Sequence, residues 1–100
     1  MIELNPPPAA REAAEAAEVL RAWIIDKGLH CSLSAGAFGG GENEVMVWAI
    51  LLSDVARHVA DALHQAEGLD PQETLKKMLS HFAFEINTPT ANAHGEFEKQ

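Results

Sequence analysis

Basic residues are scarce in this sequence, and their scarcity excludes whole classes of partner. Only 7 Lys and Arg residues stand against 15 Asp and Glu residues, so the formal net charge is −8. A domain that binds nucleic acid usually carries a basic stripe, and anionic membrane surfaces also attract basic proteins. We therefore expect neither nucleic acid nor a membrane among the partners of this chain.

Cysteine and long apolar runs are equally scarce. The single cysteine, Cys31, excludes a disulfide within the chain and is typical of a reducing compartment. The longest apolar run, Val45–Leu52, is much shorter than the roughly 20 residues that a transmembrane helix needs. The first ten residues, MIELNPPPAA, have neither the basic region nor the apolar core of a signal peptide. These features together predict a cytoplasmic protein.

The rest of the composition is that of one globular domain. Hydrophobic residues make up 47% and charged residues 22% of the 100 residues, which leaves room for a single core. We divide the chain into three parts. Residues 1–17 form an N-terminal extension with a proline-rich spacer and a short helix, residues 18–87 form a single α+β domain, and residues 88–100 form a mobile polar tail.

A long amphipathic helix, predicted over Glu42–Glu67, organises the domain. No Pro or Gly interrupts this segment, and Gly68 stands where a left-handed C-cap is expected. Apolar side chains recur at helical spacing along one stripe, which consists of Val45, Trp48, Leu52, Val55, Val59, Leu63 and Ala66. Because the first half of the helix is apolar nearly all round, we expect other elements to cover both of its faces.

The sequence allows two alternative structures for residues 19–27, a helix and a strand of a hairpin. The alanine-rich segment before them favours a helix that continues to Lys27, with Gly28 as its C-cap. However, Leu29–Leu33 alternates between apolar and polar residues as a half-buried strand does, and a strand needs a partner for its backbone groups. We favour a β-hairpin that turns at Lys27-Gly28.

The start of the last helix is marked by three residues. Asp70 suits the N-cap, Pro71 the first helical position and Glu73 the third, and the helix is predicted to run to about Asn87. The predicted fold class is therefore α+β: a short N-terminal helix, a β-hairpin, a long central helix and a C-terminal helix, with a ββαα core. We expect the hairpin to pack on one face of the central helix and the last helix on the other.

Carboxylate and imidazole side chains follow one another along the polar side of the central helix. They are Asp54, His58, Asp61 and His64. These are suitable ligands for zinc, iron or manganese, and residues three or four apart are neighbours on a helix. The set spans about 15 Å, however, so that one ion could use only a pair of them. The alternatives are a structural network of Asp54, Arg57 and His58, and an ordinary solvated face, which the pattern favours. We expect no cofactor.

Glycines are concentrated just before the central helix. Gly39-Gly40-Gly41 occupies a position where phosphate-binding loops bring backbone N–H groups to an anion. The lysine of a P-loop is missing, and Glu42 and Glu44 would repel an anion. The segment is better interpreted as a flexible linker.

Apolar side chains that remain after the domain is assembled predict a homodimer. Some lie on the outer face of the hairpin and the others on the outer side of the central helix, and nothing in the predicted fold covers the back of the hairpin. Large exposed apolar patches usually mark an interface, and two-fold pairing is the commonest closure. The residues expected at this interface are Trp23, Ile25, Met46, Val47, Ile50 and Leu51.

Two segments of the chain resemble a small proteobacterial family of uncharacterised proteins. One is Glu18–Trp23 leading into Gly28–Leu33, and the other is Trp48–Ala60, which carries the helix motif WxxLLxDxARHxA. The resemblance covers roughly residues 18–86. It implies a bacterial cytoplasmic protein without recognised catalytic residues.

Two function hypotheses follow. The first is a non-enzymatic homodimeric domain that acts through protein contacts. The second is an enzyme or binding protein that depends on a metal or small ligand and uses the helix face of Asp54, His58 and Asp61. We favour the first, because the acid–base residues do not form a complete catalytic or ligand set.

Overall fold

The computed structural model describes residues 1–90 and 94–99, and it has an α+β fold. The order of elements confirms the predicted short helix, hairpin, long helix and C-terminal helix. The elements are α1 (Pro8–Glu12), β1 (Leu20–Ile25), β2 (Gly28–Ala35), α2 (Gly41–Glu67), α3 (Pro71–Asn87) and β3 (His94–Lys99).

The strands β1 and β2 form an antiparallel hairpin, as favoured over the continuing helix. Its turn consists of Asp26 and Lys27, whose φ angles are 51° and 67°, and a type I′ turn requires positive φ at both central positions. The turn thus lies one residue before the predicted Lys27-Gly28. It lies earlier because Gly28 is already the first residue of β2 and pairs with Ile25.

One face of the hairpin is entirely apolar. Strand alternation and the register between β1 and β2 place on it Leu20, Ala22, Ile24, Leu29, Cys31, Leu33 and Ala35, which we call the apolar sheet face. Ile24 of this face is 75% exposed. This end of the apolar sheet face is therefore open to solvent in the single chain.

The third strand, β3, pairs in parallel with β2, so that the sheet order is β1-β2-β3. It lies in the segment 88–100, for which the sequence predicts a mobile tail and of which residues 91–93 and 100 lie outside the described residues. The sequence predicts no strand there, because Gly95 and the charged residues of the segment are poor strand formers.

The two long helices begin and end almost where predicted. Gly68 has a φ of 74° and donates its N–H to the carbonyl of His64 at 2.8 Å, which confirms it as the C-cap of α2. Asp70 caps α3, since its Oδ2 accepts a hydrogen bond from the backbone N–H of Glu73 at 2.9 Å. Pro71 is the first residue of α3, where its missing N–H costs no hydrogen bond.

Arg21 ties the N-terminal extension to β1. Its guanidinium donates to both carboxylate oxygens of Glu18, at 2.9 and 3.1 Å, and to Glu3 at 3.0 Å. The hydrogen bond and charge of Glu18, with a smaller contribution from Glu3, raise the pKa of Arg21 above its usual value. The start of the chain is thus held beside the hairpin.

Among the described residues, the backbone of the sheet does not come close to either long helix. In the described part of the chain, the strands contact one another and α2 contacts α3, but no close backbone contact joins the sheet to either helix. The expectation that the hairpin packs on α2 is therefore wrong for a single chain. The radius of gyration is 15.3 Å, compared with about 13 Å for a compact domain of this length.

Candidate functional site

Glu44, in the first turn of α2, binds the preceding glycine-rich loop through its carboxylate. The two carboxylate oxygens accept hydrogen bonds from the backbone N–H groups of Gly36 (3.0 Å), Phe38 (2.8 Å) and Gly40 (3.2 Å). A fourth hydrogen bond comes from the indole Nε1–H of Trp48 at 2.7 Å. We call this arrangement the Glu44 clasp.

The Glu44 clasp favours the charged form of its carboxyl group. Desolvation raises the pKa of Glu44, but the hydrogen bonds from Gly40, Phe38, Trp48 and Gly36 together outweigh it and lower the pKa below its usual value. Hydrogen bonds to a carboxylate have this effect because the protonated acid accepts them less well. Glu44 is therefore an ionised anchor for the loop.

Two further contacts hold the loop to α2. The rings of Phe38 and Trp48 meet edge to face, with centroids 5.5 Å apart and planes inclined by 70°. Asn43 donates its side-chain N–H to the carbonyl of Phe38 at 2.8 Å. The interpretation of the loop as a flexible linker is thus wrong, because the segment is folded around the first turn of α2.

Sequence reasoning missed the role of Glu44, which it treated only as a charge that repels anions. The donors that bind it are mostly backbone N–H groups, and these carry no side-chain signature. The usable signal was a carboxylate in the first turn of a helix that directly follows several glycines. Exposed N–H groups and the helix dipole both attract such a carboxylate.

The four candidate metal ligands on α2 all have exposed side chains: Asp54, His58, Asp61 and His64. Asp54 forms an ion pair with Arg57, and His64 Nδ1 lies 3.0 Å from the carbonyl oxygen of Leu69. Within residues 1–90 and 94–99, no three His, Cys, Asp or Glu side chains are grouped so that they could hold a metal ion. Metal binding by these residues stays a prediction.

The predicted interface residues fall into two groups. Ile25, Met46 and Ile50 are at least half exposed. The other three, Trp23, Val47 and Leu51, are half-buried. The first group thus contributes open apolar surface, whereas the second is already partly covered within the chain. That any of the six meets a partner stays a prediction.

The partial burial of Val47 and Leu51 follows from their position on α2. They lie three and seven residues after Glu44 and therefore share its side of the helix, together with Trp48. Glu44 and Trp48 both contact the loop, as described above. Met46 and Ile50 project from a different side of the helix and remain open.

A second apolar surface was assigned to the core by sequence reasoning but is open in the structure. Four side chains of α2, between 37% and 70% exposed, recur at helical spacing along one stripe: Val45, Leu52, Val55 and Val59, which we call the α2 stripe. On α3, Leu75 and Met78 are half-buried, whereas Leu79, Phe82 and Ile86 are each more than half exposed. The contact between the helices therefore covers little of the apolar surface predicted for the core.

The exposed area is far larger than a monomer of this size normally shows. The accessible surface is 8508 Å², and Ala60 is the one fully buried hydrophobic residue among those that the structure describes. Monomeric proteins of 10.8 kDa are expected to expose about 5,500 Å². The excess is about 3,000 Å². Part of it comes from the N-terminal residues Met1, Ile2 and Leu4, which are each more than 90% exposed.

Across the described ranges, none of the helices is both long enough and apolar enough to cross a bilayer.

Comparisons with known proteins give a family and a structural relative. A solved structure described as a "putative pyruvate dehydrogenase from the photosynthetic bacterium Rhodopseudomonas palustrus CGA009" is similar to this chain, with a TM-score of 0.64 and 31% sequence identity. The similarity covers 93% of this chain and 92% of that one. No curated protein matches the chain significantly. A family model described as "Domain of unknown function (DUF5076)" matches residues 3–90, which confirms the resemblance to an uncharacterised family. The chain therefore belongs to the DUF5076 family of domains of unknown function.

Proposed function

We propose that this chain is a non-enzymatic, bacterial protein-interaction domain that works as a homodimer. The observation that carries the proposal is the accessible surface of 8508 Å², with a single fully buried hydrophobic residue among those described. Burial of apolar surface is the main force that folds a domain of this size. A chain that leaves so much apolar surface open needs a partner to cover it.

The amount of surface argues for a permanent rather than a transient partner. A stable interface of standard size buries about 800 Å² on each partner, and obligate homodimers bury more. The excess of about 3,000 Å² on this chain is more than one partner contributes to a standard interface, so that burial of even part of it would suffice for an obligate dimer. A second copy of the chain is the simplest partner of matching size and apolar character, and two-fold dimers are the commonest assemblies.

The proposed interface includes the open residues predicted from the sequence. Ile25 lies on the hairpin, and Met46 and Ile50 lie on α2. Burial of each such side chain contributes about 1.5–3 kcal/mol. Trp23, Val47 and Leu51 are half-buried and supply the remainder of the patch.

The arrangement of charged groups supports a non-enzymatic role. Among the described residues, no polar or charged side chain is buried, whereas catalytic acids and bases usually work in partly desolvated sites. The name of the bacterial relative refers to that protein, and no site among the described residues of this chain supports a dehydrogenase activity independently. The net charge of −8 argues against nucleic acid and anionic membranes as partners, and the single cysteine supports a cytoplasmic location.

A pair of charge substitutions on α2 tests the proposal. Ile50→Glu places a carboxylate on the proposed interface and should dissociate the dimer at micromolar concentration. Gln65→Glu adds the same charge to the same helix, at an exposed polar position, and should leave the dimer intact. Size-exclusion chromatography with light scattering measures both masses, and circular dichroism checks that the helices remain. An unchanged dimer in Ile50→Glu, or equal dissociation in both variants, would count against this interface.

A further inference from the structure

We propose that the apolar sheet face of each copy packs on the α2 stripe of the other copy, so that the sheet of each protomer covers the long helix of its partner. This inference rests on the proposed homodimer and adds a second contact to it, because the apolar sheet face lies opposite Ile25 on the hairpin and the α2 stripe lies opposite Ile50 on α2. It concerns two surfaces: the apolar sheet face, which lies on β1 and β2, and the α2 stripe. In the dimer, each of these surfaces buries the other.

The two surfaces match in chemistry. The apolar sheet face contains Leu20, Ala22, Ile24, Leu29, Cys31, Leu33 and Ala35, and no charged residue. The α2 stripe consists only of valines and one leucine. An apolar sheet face covered by an apolar helix is the usual two-layer solution of an α+β domain. Both surfaces are only partly covered within one chain: Ile24 is 75% exposed and the α2 stripe between 37% and 70%, whereas Cys31 and Leu33 are half-buried.

The Glu44 clasp explains why the two surfaces do not meet within one chain. The connection between β2 and α2 is short, and three hydrogen bonds from its backbone to Glu44 fix its conformation. In that conformation no close backbone contact forms between the sheet and α2 in the described residues. The sheet is thus held apart from its own α2, and the α2 of a second copy can cover it.

The exchanged arrangement also covers more surface than the simpler pairings. If two sheets packed face to face, the α2 stripe of each copy would stay open, and if two α2 helices paired, both apolar sheet faces would stay open. A reciprocal contact covers both surfaces of both copies, and it satisfies two-fold symmetry because each copy gives and receives the same contact.

Cross-linking between two cysteine variants tests the geometry, since the native Cys31 already lies on the apolar sheet face. The first chain keeps its native sequence. The second carries Cys31→Ser and Val55→Cys, which moves the only thiol to the α2 stripe. The chains are unfolded, mixed and refolded, then treated with a short bis-maleimide. Packed layers lie about 10 Å apart, too far for a direct disulfide, whereas a short linker can span them.

The proposal predicts a covalent heterodimer of one native and one variant chain, identified by mass spectrometry. Asp61→Cys in the Cys31→Ser background is the matched control, because residue 61 is exposed on the opposite side of α2 from the stripe. It should give little heterodimer. If Val55→Cys impairs refolding, Val59→Cys places the thiol on the same stripe.

Other products would overturn the exchanged geometry. Covalent dimers of native chains alone would mean that the sheets face each other, and dimers of variant chains alone would mean that the helices do. The absence of interchain products in a mixture that light scattering shows to be dimeric would also overturn it. A monomeric mass for the native protein would instead contradict the homodimer itself. Failure of the exchanged geometry is therefore distinguishable from failure of the proposed homodimer.

Discussion

The indole Nε1–H of Trp48 donates a 2.7 Å hydrogen bond to the carboxylate of Glu44, one helical turn earlier in the same helix. The same carboxylate binds three backbone N–H groups of the preceding loop. The loop and the first turns of α2 therefore form one unit. The residue that follows β2, Gly36, and the start of α2 are thereby held by one carboxylate.

Replacing Glu44 should loosen this unit. Glu44→Gln removes the charge and leaves one acceptor oxygen in place of two. Some loop N–H groups therefore lose their hydrogen-bond acceptor, and water replaces it only in part. We expect a lower free energy of unfolding and a red shift of tryptophan fluorescence, because Trp48 loses its partner. Glu42→Gln, in the same helical turn, is the control and should leave both unchanged. Identical unfolding curves for the two variants would show that the Glu44 clasp contributes nothing.

The lowered pKa of Glu44 makes the contribution of this residue depend on pH in a defined direction. A carboxyl group whose pKa is lower in the folded state stabilises the fold above its unfolded pKa, about 4.3, and loses that contribution as the pH falls through its folded pKa. The stability difference between the native protein and Glu44→Gln should thus be constant near neutrality and shrink below about pH 4.3. Urea unfolding at several pH values measures it, and a difference that grows on acidification would contradict stabilisation of the charged carboxylate by the loop N–H groups.

Asp70 should stabilise α3 as its N-cap. Asp70→Ala removes the 2.9 Å hydrogen bond to the N–H of Glu73 and should cost about 1 kcal/mol. For a domain of this length, that corresponds to a decrease of about 4–8 °C in the melting temperature. Asp61→Ala, an exposed position within a helix, should change the stability by less than about 0.5 kcal/mol. Equal melting temperatures for the two variants would mean that the cap is not energetically important.

The hairpin turn offers a stabilising substitution. Lys27 has a φ of 67°, a conformation that costs a residue with a Cβ about 1 kcal/mol and that glycine adopts freely. Lys27→Gly should therefore stabilise the hairpin, by somewhat less than this because glycine also loses more entropy on folding. Lys27→Val should destabilise it, since a β-branched residue is least tolerated at positive φ. Thermal unfolding of both variants gives the signs, and a stabilising valine would contradict the turn geometry.

The sequence was sufficient to predict most of the elements, since their signals are local. Gly68, Asp70 and Pro71 mark the boundary between the two long helices, and alternation marks β2. The packing of the layers was not predictable in the same way. Helical periodicity shows that Leu52 and Val55 share a face, but it does not show whether that face is covered by the same chain. The short β3 was missed because its glycine and charged residues resemble those of a tail.

The central claim is that a second copy of the chain covers the apolar surface left open by the first. Multi-angle light scattering of the unmutated protein, from tens of micromolar down to below one micromolar, tests it most directly. The claim predicts a molar mass of about 21.6 kDa, twice the chain mass of 10.8 kDa, that persists over most of this dilution. A mass of 10.8 kDa throughout, with the cooperative unfolding of a well-packed domain, would contradict it.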